Sequence, residues 1–430
     1  MTAQIQAVRG MNDALPADIG PWQRLEAVAR ELLTGYGYAE IRVPLVEHTQ
    51  LFQRAIGEYT DVVEKEMYTF TDQGGESLTL RPEATAGIVR AVIEHGMLRG
   101  QRHKLWCVGP MFRHEKPQRG RFRQFHQIDV EAIGFAGPDV DAELIALLAR
   151  LWRRLGIGRV KLQVNSLGTP ESRHLYRATL ASYFRAHEAR LDADSRRRLG
   201  ANPLRILDSK NPEMQELITR APLLTEHLDA ESRAHFAALC AALRSMGIEF
   251  EVNPRLVRGL DYYSRTVFEW ITDALGAQDA VCAGGRYDGL IGQLGGEPTP
   301  AIGFALGMER TVELLRLDAP LAAAHPPDVY VVVHGERAAP AGLRVIESLR
   351  DALPRLRFEL SLGGGNFKAQ FRRADRSGAK LAVVLGDEEL DRGAAALKPL
   401  RHEAGQSECP LEDLPARIVA ALEAGDRSGS

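Results

Sequence analysis

The sequence predicts a strand-rich α+β region, interrupted by a helical module and followed by a smaller α/β domain. Three observations carry this. Residues 109–131, GPMFRHEKPQRGRFRQFHQIDVE, read as two strands joined by a charged loop. From about residue 170 to 250 the composition shifts to helical segments rich in Arg, Ala and Leu, without strand patterns. Beyond residue 328 the period changes again, and strands alternate with helices. A chain of 430 residues is long enough for two or three domains with large cores.

In chain order, residues 21–33 place Trp22, Leu25, Val28, Ala29 and Leu32 at helical spacing, and Gly35 and Gly37 stop the helix. YAEIRV reads as a short strand ending at Pro44, and MYTFTD (67–72) and LTLRP (78–82) as two more. EATAGIVRAVIEHG reads as a helix with Glu83 and Thr85 at its start, where capping and ligand binding are equally open roles. In the second strand of the hairpin Arg123, Phe125, Gln127, Asp129 and Glu131 share one face, while Phe122, Ile128 and Val130 share the other. The loop before it holds Arg113, Lys116, Arg119, Arg121 and Arg123 with one acid, Glu115. A polar row on a strand is often only a solvated face. Phe125 sits flat among the charges, however, and arginine forks grip phosphates and stack on flat bases. The stretch therefore points to a nucleotide held by arginines, beside acids that hold a cationic group.

Residues 139–155 form an amphipathic helix and VKLQVNSLG a strand, and the helical module follows. Strand signals return in LVRGLDYYSRTVFEW (256–270) and AVCAGGRYDGL (280–290), and AIGFALGMERTVELL (301–315) reads as a strand running into a helix. Gly259 beside Arg258 permits a close approach, and Tyr262 and Tyr263 offer flat walls with hydroxyls. Taken alone, that run reads more simply as a surface arginine and two core-edge tyrosines. Gly284 and Gly285 suggest a turn or bulge. Gly303 and Gly307 suggest a strand packed closely under a helix, with Glu309 and Arg310 as an exposed ion pair. LDAPLAAAHPPD (317–328) is a Pro/Ala-rich linker, which divides the chain into expected domains 1–325 and 326–430. The second is expected to hold a mostly parallel sheet.

Composition narrows the classes. Hydrophobic content of 45% and charged content of 26% are ordinary for globular proteins. A net charge of −3 excludes a globally basic nucleic-acid coat but leaves room for local basic patches. Cys107, Cys240, Cys282 and Cys409 are scattered without metal-ligand spacing, so free thiols in a reducing cytoplasm and no structural metal are expected. No signal-peptide pattern and no membrane-spanning run is found, and neither a P-loop nor GxGxxG after a strand.

Together the motifs are recognisable. FRHE…RFRQFHQ resembles motif 2 of the class II aminoacyl-tRNA synthetases, and GFALGMER resembles motif 3, with Ala305 where many members have glycine. The segment around Pro44 is similar to motif 1, the dimer-interface motif. LVRGLDYYSRTVFEW and AGGRYDGL resemble the two histidine-specific segments of the histidyl-tRNA synthetase family, and RPEATAG and SLGGGNFKAQFRRADRSGAKLAVVLGDEEL are similar to that family too. The resemblance implies a catalytic domain on an antiparallel sheet, with the helical insertion, and an anticodon-binding α/β domain after it. It implies a cytoplasmic homodimer whose partners are ATP, L-histidine and the histidine tRNA, with Mg²⁺ carried on the ATP phosphates.

Roles follow by resemblance. Arg113 grips the α-phosphate, Glu115 reads the adenine amino group, Phe125 stacks on the base, and Arg310 holds the γ-phosphate. Arg121 lies in a loop that meets ATP and the tRNA acceptor end. Glu83, Thr85 and Gln127 hold the α-ammonium of histidine; Glu131 and Tyr263 hold the imidazole nitrogens, with Tyr262 and Tyr287 lining the pocket. Arg258 sits against the α-phosphate and carboxylate. In the last domain Lys368, Arg372 and Arg376 recur every four residues with Arg373 alongside, a basic stripe suited to the anticodon stem. One rival is a non-catalytic, histidine-sensing regulatory paralogue of ATP phosphoribosyltransferase, which usually lacks the last domain and erodes the ATP and histidine motifs. Another is a class II synthetase for proline or threonine, against which the 258–263 segment argues.

Overall fold

Alternating apolar residues on both sides of the basic loop close into a long antiparallel hairpin, and the first unit of the chain is assembled on it. A computed structural model describes residues 4–58, 60–117, 120–207, 209, 211–276, 280–318, 326–402 and 405–428. The chain falls into two compact units, Met1–Leu321 and Ala322–Ser430. Most of the linker 317–328 lies outside the described residues, as does Arg119 of the hairpin loop.

The strands of the first unit are β1 (Ala39–Glu40), β2 (Val46–His48), β3 (Tyr68–Thr71), β4 (Ser77–Leu80), β5 (His103–Phe112), β6 (Gln124–Ile133), β7 (Lys161–Ser166), β8 (Glu251–Val252), β9 (Ser264–Ile271), β10 (Ala280–Arg286) and β11 (Ala301–Gly307). Eight of them form one sheet in the order β1-β5-β6-β11-β10-β9-β7-β8, and β2-β4-β3 form a small one. The large sheet is antiparallel except at its edges, where β1 runs parallel to β5 and β8 to β7. The expected strand YAEIRV shortens to two residues, with one further backbone bond from Ile41 to Trp106. Within 256–270 only Ser264 onward is strand; the preceding LVRGLDYY is irregular.

One face of this sheet is covered by helices Gly20–Gly35, Pro138–Leu155, Ala230–Ser245 and Met308–Asp318, whose Leu25, Leu148, Leu239 and Leu314 join Ile128 and Val130 in a single core. The Pro138–Leu155 helix shows why its ends fall where they do. Pro138 opens it, Asp139 and Asp141 meet the positive end of its dipole, Arg153 and Arg154 the negative end, and Gly156 closes it in the left-handed region at φ 76°. The other face carries helices Thr49–Ile56 and Thr85–Glu94 and the insertion up to its last helix, Ala230–Ser245, around Phe52, Ile88, Tyr176 and Phe184. Three insertion helices start alike: Thr169, Asp192 and Asp229 each accept from the backbone N–H of a serine three residues on.

The second unit has strands β12 (Val329–His334), β13 (Phe358–Leu360), β14 (Leu381–Gly386), β15 (Ala394–Pro399) and β16 (Ser407–Pro410), ordered β13-β12-β14-β15-β16. Its sheet is mixed, which corrects the expectation of a mostly parallel one. β12 pairs parallel with β13 and β14, but β14-β15-β16 is an antiparallel meander. The two missed strands are spelled AAALKP and SECP. Alanine, lysine and proline carry little strand propensity, so antiparallel pairing with neighbouring strands, and for Ala394–Leu397 burial as well, makes them strands rather than local sequence.

Candidate active site

The face of β6 that carries Phe125, Gln127, Asp129 and Glu131 floors a cavity of about 440 Å³, a size suited to small-molecule ligands. Glu83, Thr85, Arg113, Glu115, Arg121, Arg258, Tyr262, Tyr263, Tyr287 and Arg310 line it too. Every residue expected in the first unit's site therefore reaches one space. Lys368, Arg372 and Arg376 belong to the other unit, on helix Phe367–Arg376, and all three are exposed. Arg373 is not part of their stripe. It turns inward and donates to Ser361 Oγ at 2.9 Å and to the carbonyl of Gly364, bracing the glycine-rich loop.

At the inner end, three acids stand close together and buried. Glu131 accepts from Thr85 Oγ1 at 2.6 Å and from the Tyr287 hydroxyl at 2.5 Å. Tyr287, Tyr262 and Tyr263 form one aromatic wall, with centroids 4.6 Å apart for Tyr262–Tyr263 and 5.7 Å for Tyr262–Tyr287. Glu83 receives the backbone N–H groups of Thr85 and Ala86, each at 2.9 Å. It thus caps the helix and faces the cavity at once, so the two roles left open by spacing are not alternatives. Burial pushes the Asp129 and Glu131 carboxyls up to about 8 and raises Glu83 as well.

The lining also holds a cluster of arginines with Glu115 among them. Arg113 is fixed by a bond from Nε to the Pro82 carbonyl at 2.8 Å and lies 5.4 Å from the Phe125 ring. Glu115 is ion-paired with Arg121 and stands 4.0 Å from Arg113. Arg258 pairs with Glu269 on β9 and lies 5.8 Å from the Tyr263 ring, so it is a wall of the cavity and not a surface arginine. Arg310 leads the helix after β11 and packs beside Gly120.

The glycines serve purposes that spacing did not disclose. Gly303 lies directly across from Glu131, and a Cβ there would come within 1.7 Å of Glu131 Oε2. Its absence of side chain makes room for the carboxylate, not for a helix. Gly284 and Gly285 sit inside β10, with a register shift just after Gly285; a Cβ on Gly285 would meet the Tyr263 ring at 2.9 Å. Glu309 is buried, not an exposed partner of Arg310. Both its oxygens accept the His126 backbone N–H at 2.9 Å, which ties the helix carrying Arg310 to β6.

Several participants escaped the sequence reading. Asp129 stood in the polar row without a role. Arg81 is buried over Gly109, bonded to the carbonyls of Pro110 and Val43. Arg286 of AGGRYDGL is fully buried and joins Asp141 at 2.8 Å, while His235 and Thr266 reach the other Asp141 oxygen at 2.8 and 2.6 Å. Arg205 of the insertion lines the cavity and pairs with Asp61 at 3.3 Å. These pairings are long-range, and no local pattern marks them.

A family profile described as histidyl-tRNA synthetase matches residues 10–311. The chain belongs to the histidyl-tRNA synthetase family. An anticodon binding domain profile matches residues 328–421. The structure is similar to that of apo S. aureus histidyl-tRNA synthetase, with 36% identity, a TM-score of 0.81, and coverage of 96% of this chain and 100% of that one. More distant likenesses share the fold. A histidyl-tRNA synthetase from Nostoc sp. PCC 7120 has 20% identity and TM-score 0.69, covering 97% of this chain and 100% of that one. A chain from Bacillus halodurans C, described as an ATP phosphoribosyltransferase regulatory subunit/histidyl-tRNA synthetase, has 21% identity and TM-score 0.64, covering 90% and 99%. As a histidyl-tRNA synthetase with its anticodon-binding domain, the chain is a ligase that joins histidine to tRNA, and ATP is its co-substrate. No helix among the described residues is long and apolar enough to cross a membrane.

Proposed function

We propose that both steps of histidine ligation run in this cavity with the roles the motifs suggest. Histidine enters the acidic end. Its imidazole lies between Glu131 and Tyr263, with Tyr262 and Tyr287 as walls, and its α-ammonium meets Glu83, Thr85 and Gln127. ATP, with Mg²⁺ on its phosphates as part of the substrate, enters the basic end. Phe125 stacks on the adenine, Glu115 accepts from its amino group, Arg113 meets the α-phosphate, Arg310 the γ-phosphate, and Arg121 borders ATP and the tRNA end. The histidine carboxylate attacks the α-phosphorus and pyrophosphate leaves. Arg258 spans the two halves and offsets the charge that develops there. Such chemistry depends on orientation and fixed cations rather than on covalent help from the protein. The histidyl group then passes to the terminal ribose of tRNA.

The observation that carries this reading is a single cavity lined both by a cluster of buried acids, Glu83, Asp129 and Glu131, and by a set of arginines that includes Arg113, Arg121 and Arg310. A homodimer fits the exposure of Leu45, Val46 and Phe70 around the small sheet next to the segment resembling motif 1. The test is histidine-dependent exchange of pyrophosphate into ATP. It should proceed without tRNA and fall by about 10²–10³ in Arg258→Ala with the melting profile retained. Near-normal exchange in that variant would make Arg258 structural, and absence of exchange in the wild type would refute the assignment of the cavity.

A further inference from the structure

We infer that Asp129 is a direct partner of the α-ammonium of the bound amino acid, a charged anchor beyond Glu83, Thr85 and Gln127. This rests on the histidine-binding reading given above. Asp129 is fully buried, lines the cavity, and stands between Gln127 and Glu131 on the same face of β6. Neither of its carboxylate oxygens has a hydrogen-bond partner among the described residues. Glu131 and Glu83, its companions, each hold two donors. A buried carboxylate without a donor is costly, and proteins keep such groups for a ligand or a catalytic task.

The donor that fits is cationic and has hydrogens to spare. Gln127 Oε1 is likewise buried without a partner. Thr85 spends its hydroxyl hydrogen on Glu131 and keeps its lone pairs for accepting. Three acceptors thus stand on the cavity side, matching the three N–H bonds of an ammonium group. The imidazole has less need of Asp129, since Glu131 and the tyrosines already offer acceptors for it.

The charges around Asp129 agree. Burial raises its carboxyl most, Glu83 raises it further, Arg81 and Arg113 lower it by less, and its other titratable neighbours are Glu131 on its own strand face, Cys107 across β5 and Cys282 on β10. An empty pocket therefore keeps a proton on the acid cluster near neutrality. When an ammonium enters, that proton leaves to solvent and an ion pair forms.

The test compares Asp129→Asn with wild type on four ligands: L-histidine, histidinol, 3-(imidazol-4-yl)propionate, which lacks the amine, and ATP. Asparagine keeps the shape and removes the charge. Dissociation constants for histidine and histidinol should rise about ten- to a hundred-fold, while those for the amine-free acid and ATP stay within about two-fold. Unchanged histidine affinity would overturn the inference. So would an equal loss for the amine-free acid, because Asp129 would then serve the ring or the pocket's shape. A second measurement needs no variant: calorimetry of wild-type protein near pH 7 in buffers of different ionisation enthalpy. Histidine should release more protons than the amine-free acid does; equal release would overturn the inference. Failure of folded wild-type protein to bind histidine at all would overturn both this inference and the reading beneath it.

Discussion

A carboxylate that receives two hydroxyl donors and still faces a cavity is poised to discriminate among ligands. Glu131 is held by Thr85 and Tyr287 and backed by the void at Gly303, so its position is over-determined. Glu131→Gln keeps the shape but replaces one acceptor with a donor that confronts a hydroxyl. Histidine affinity should fall by about ten-fold or more while ATP affinity stays level, as titration calorimetry would register. A fall in ATP affinity instead would mean that the two ends of the cavity are wrongly assigned. The same acids govern pH dependence. Asp129 and Glu131 hold their protons to about 8 when folded, whereas in the unfolded chain such groups ionise near about 4. Between those values the folded state binds more protons, so unliganded stability falls as pH rises from about 5 through 8. Asp129→Asn removes one of these protons, and its melting temperature should decline less steeply between pH 6 and 8.5. Parallel slopes would show that Asp129 does not hold a proton in the empty pocket.

At the scale of elements, the site is made by strands that share space. The middle of β11 must stay bare for the side chains of β6 to lie over it, and the middle of β10 must stay bare for Tyr263. Gly303→Ala would drive a methyl group into Glu131 Oε2 and the Val130 carbonyl, the latter at 2.6 Å from the added carbon. We expect about 1–3 kcal/mol of destabilisation in urea melts, with histidine-dependent exchange lost out of proportion to stability. A variant as active as wild type would show that the strand yields without cost. These elements also explain what was legible in the sequence. Alternation along β6 put Phe125, Gln127, Asp129 and Glu131 on one face, and the hairpin and the insertion followed from period and composition. Gly303 was misread because a glycine's neighbour across a sheet is a long-range fact, and the Asp141–Arg286–His235–Thr266 cluster was missed for the same reason. β15 and β16 were missed because their alanines and proline resemble no strand. The individual roles in the pocket came from resemblance to a family, since spacing alone left capping and binding equally open for Glu83 and Thr85.

The whole molecule combines two units with separate cores, one around the large sheet and one around β12–β16. Separate cores permit separate assays. A chain ending near Asp318 should retain pyrophosphate exchange if it folds, and should charge tRNA poorly through a raised KM for tRNA. In the full chain, changing Lys368, Arg372 and Arg376 together to Ala should weaken tRNA binding and flatten its dependence on salt. Unchanged affinity with an unchanged salt slope would assign the anticodon contact to another face of the second unit. Arg373 is best left out of that set, since its contacts with Ser361 and Gly364 make it a brace of the loop.

The bare position opposite Glu131 also bears on how such an enzyme could be retrained. On the proposed assignment, its preference for histidine is stored in pairs of residues on neighbouring strands, a carboxylate on one and a missing side chain on the other. A library that randomises only β6 keeps the hole without its occupant, and one that randomises only β11 keeps the occupant without its hole. Selection for a new amino acid should succeed only when both strands are varied together, and single-strand libraries should return either the parent or inactive chains.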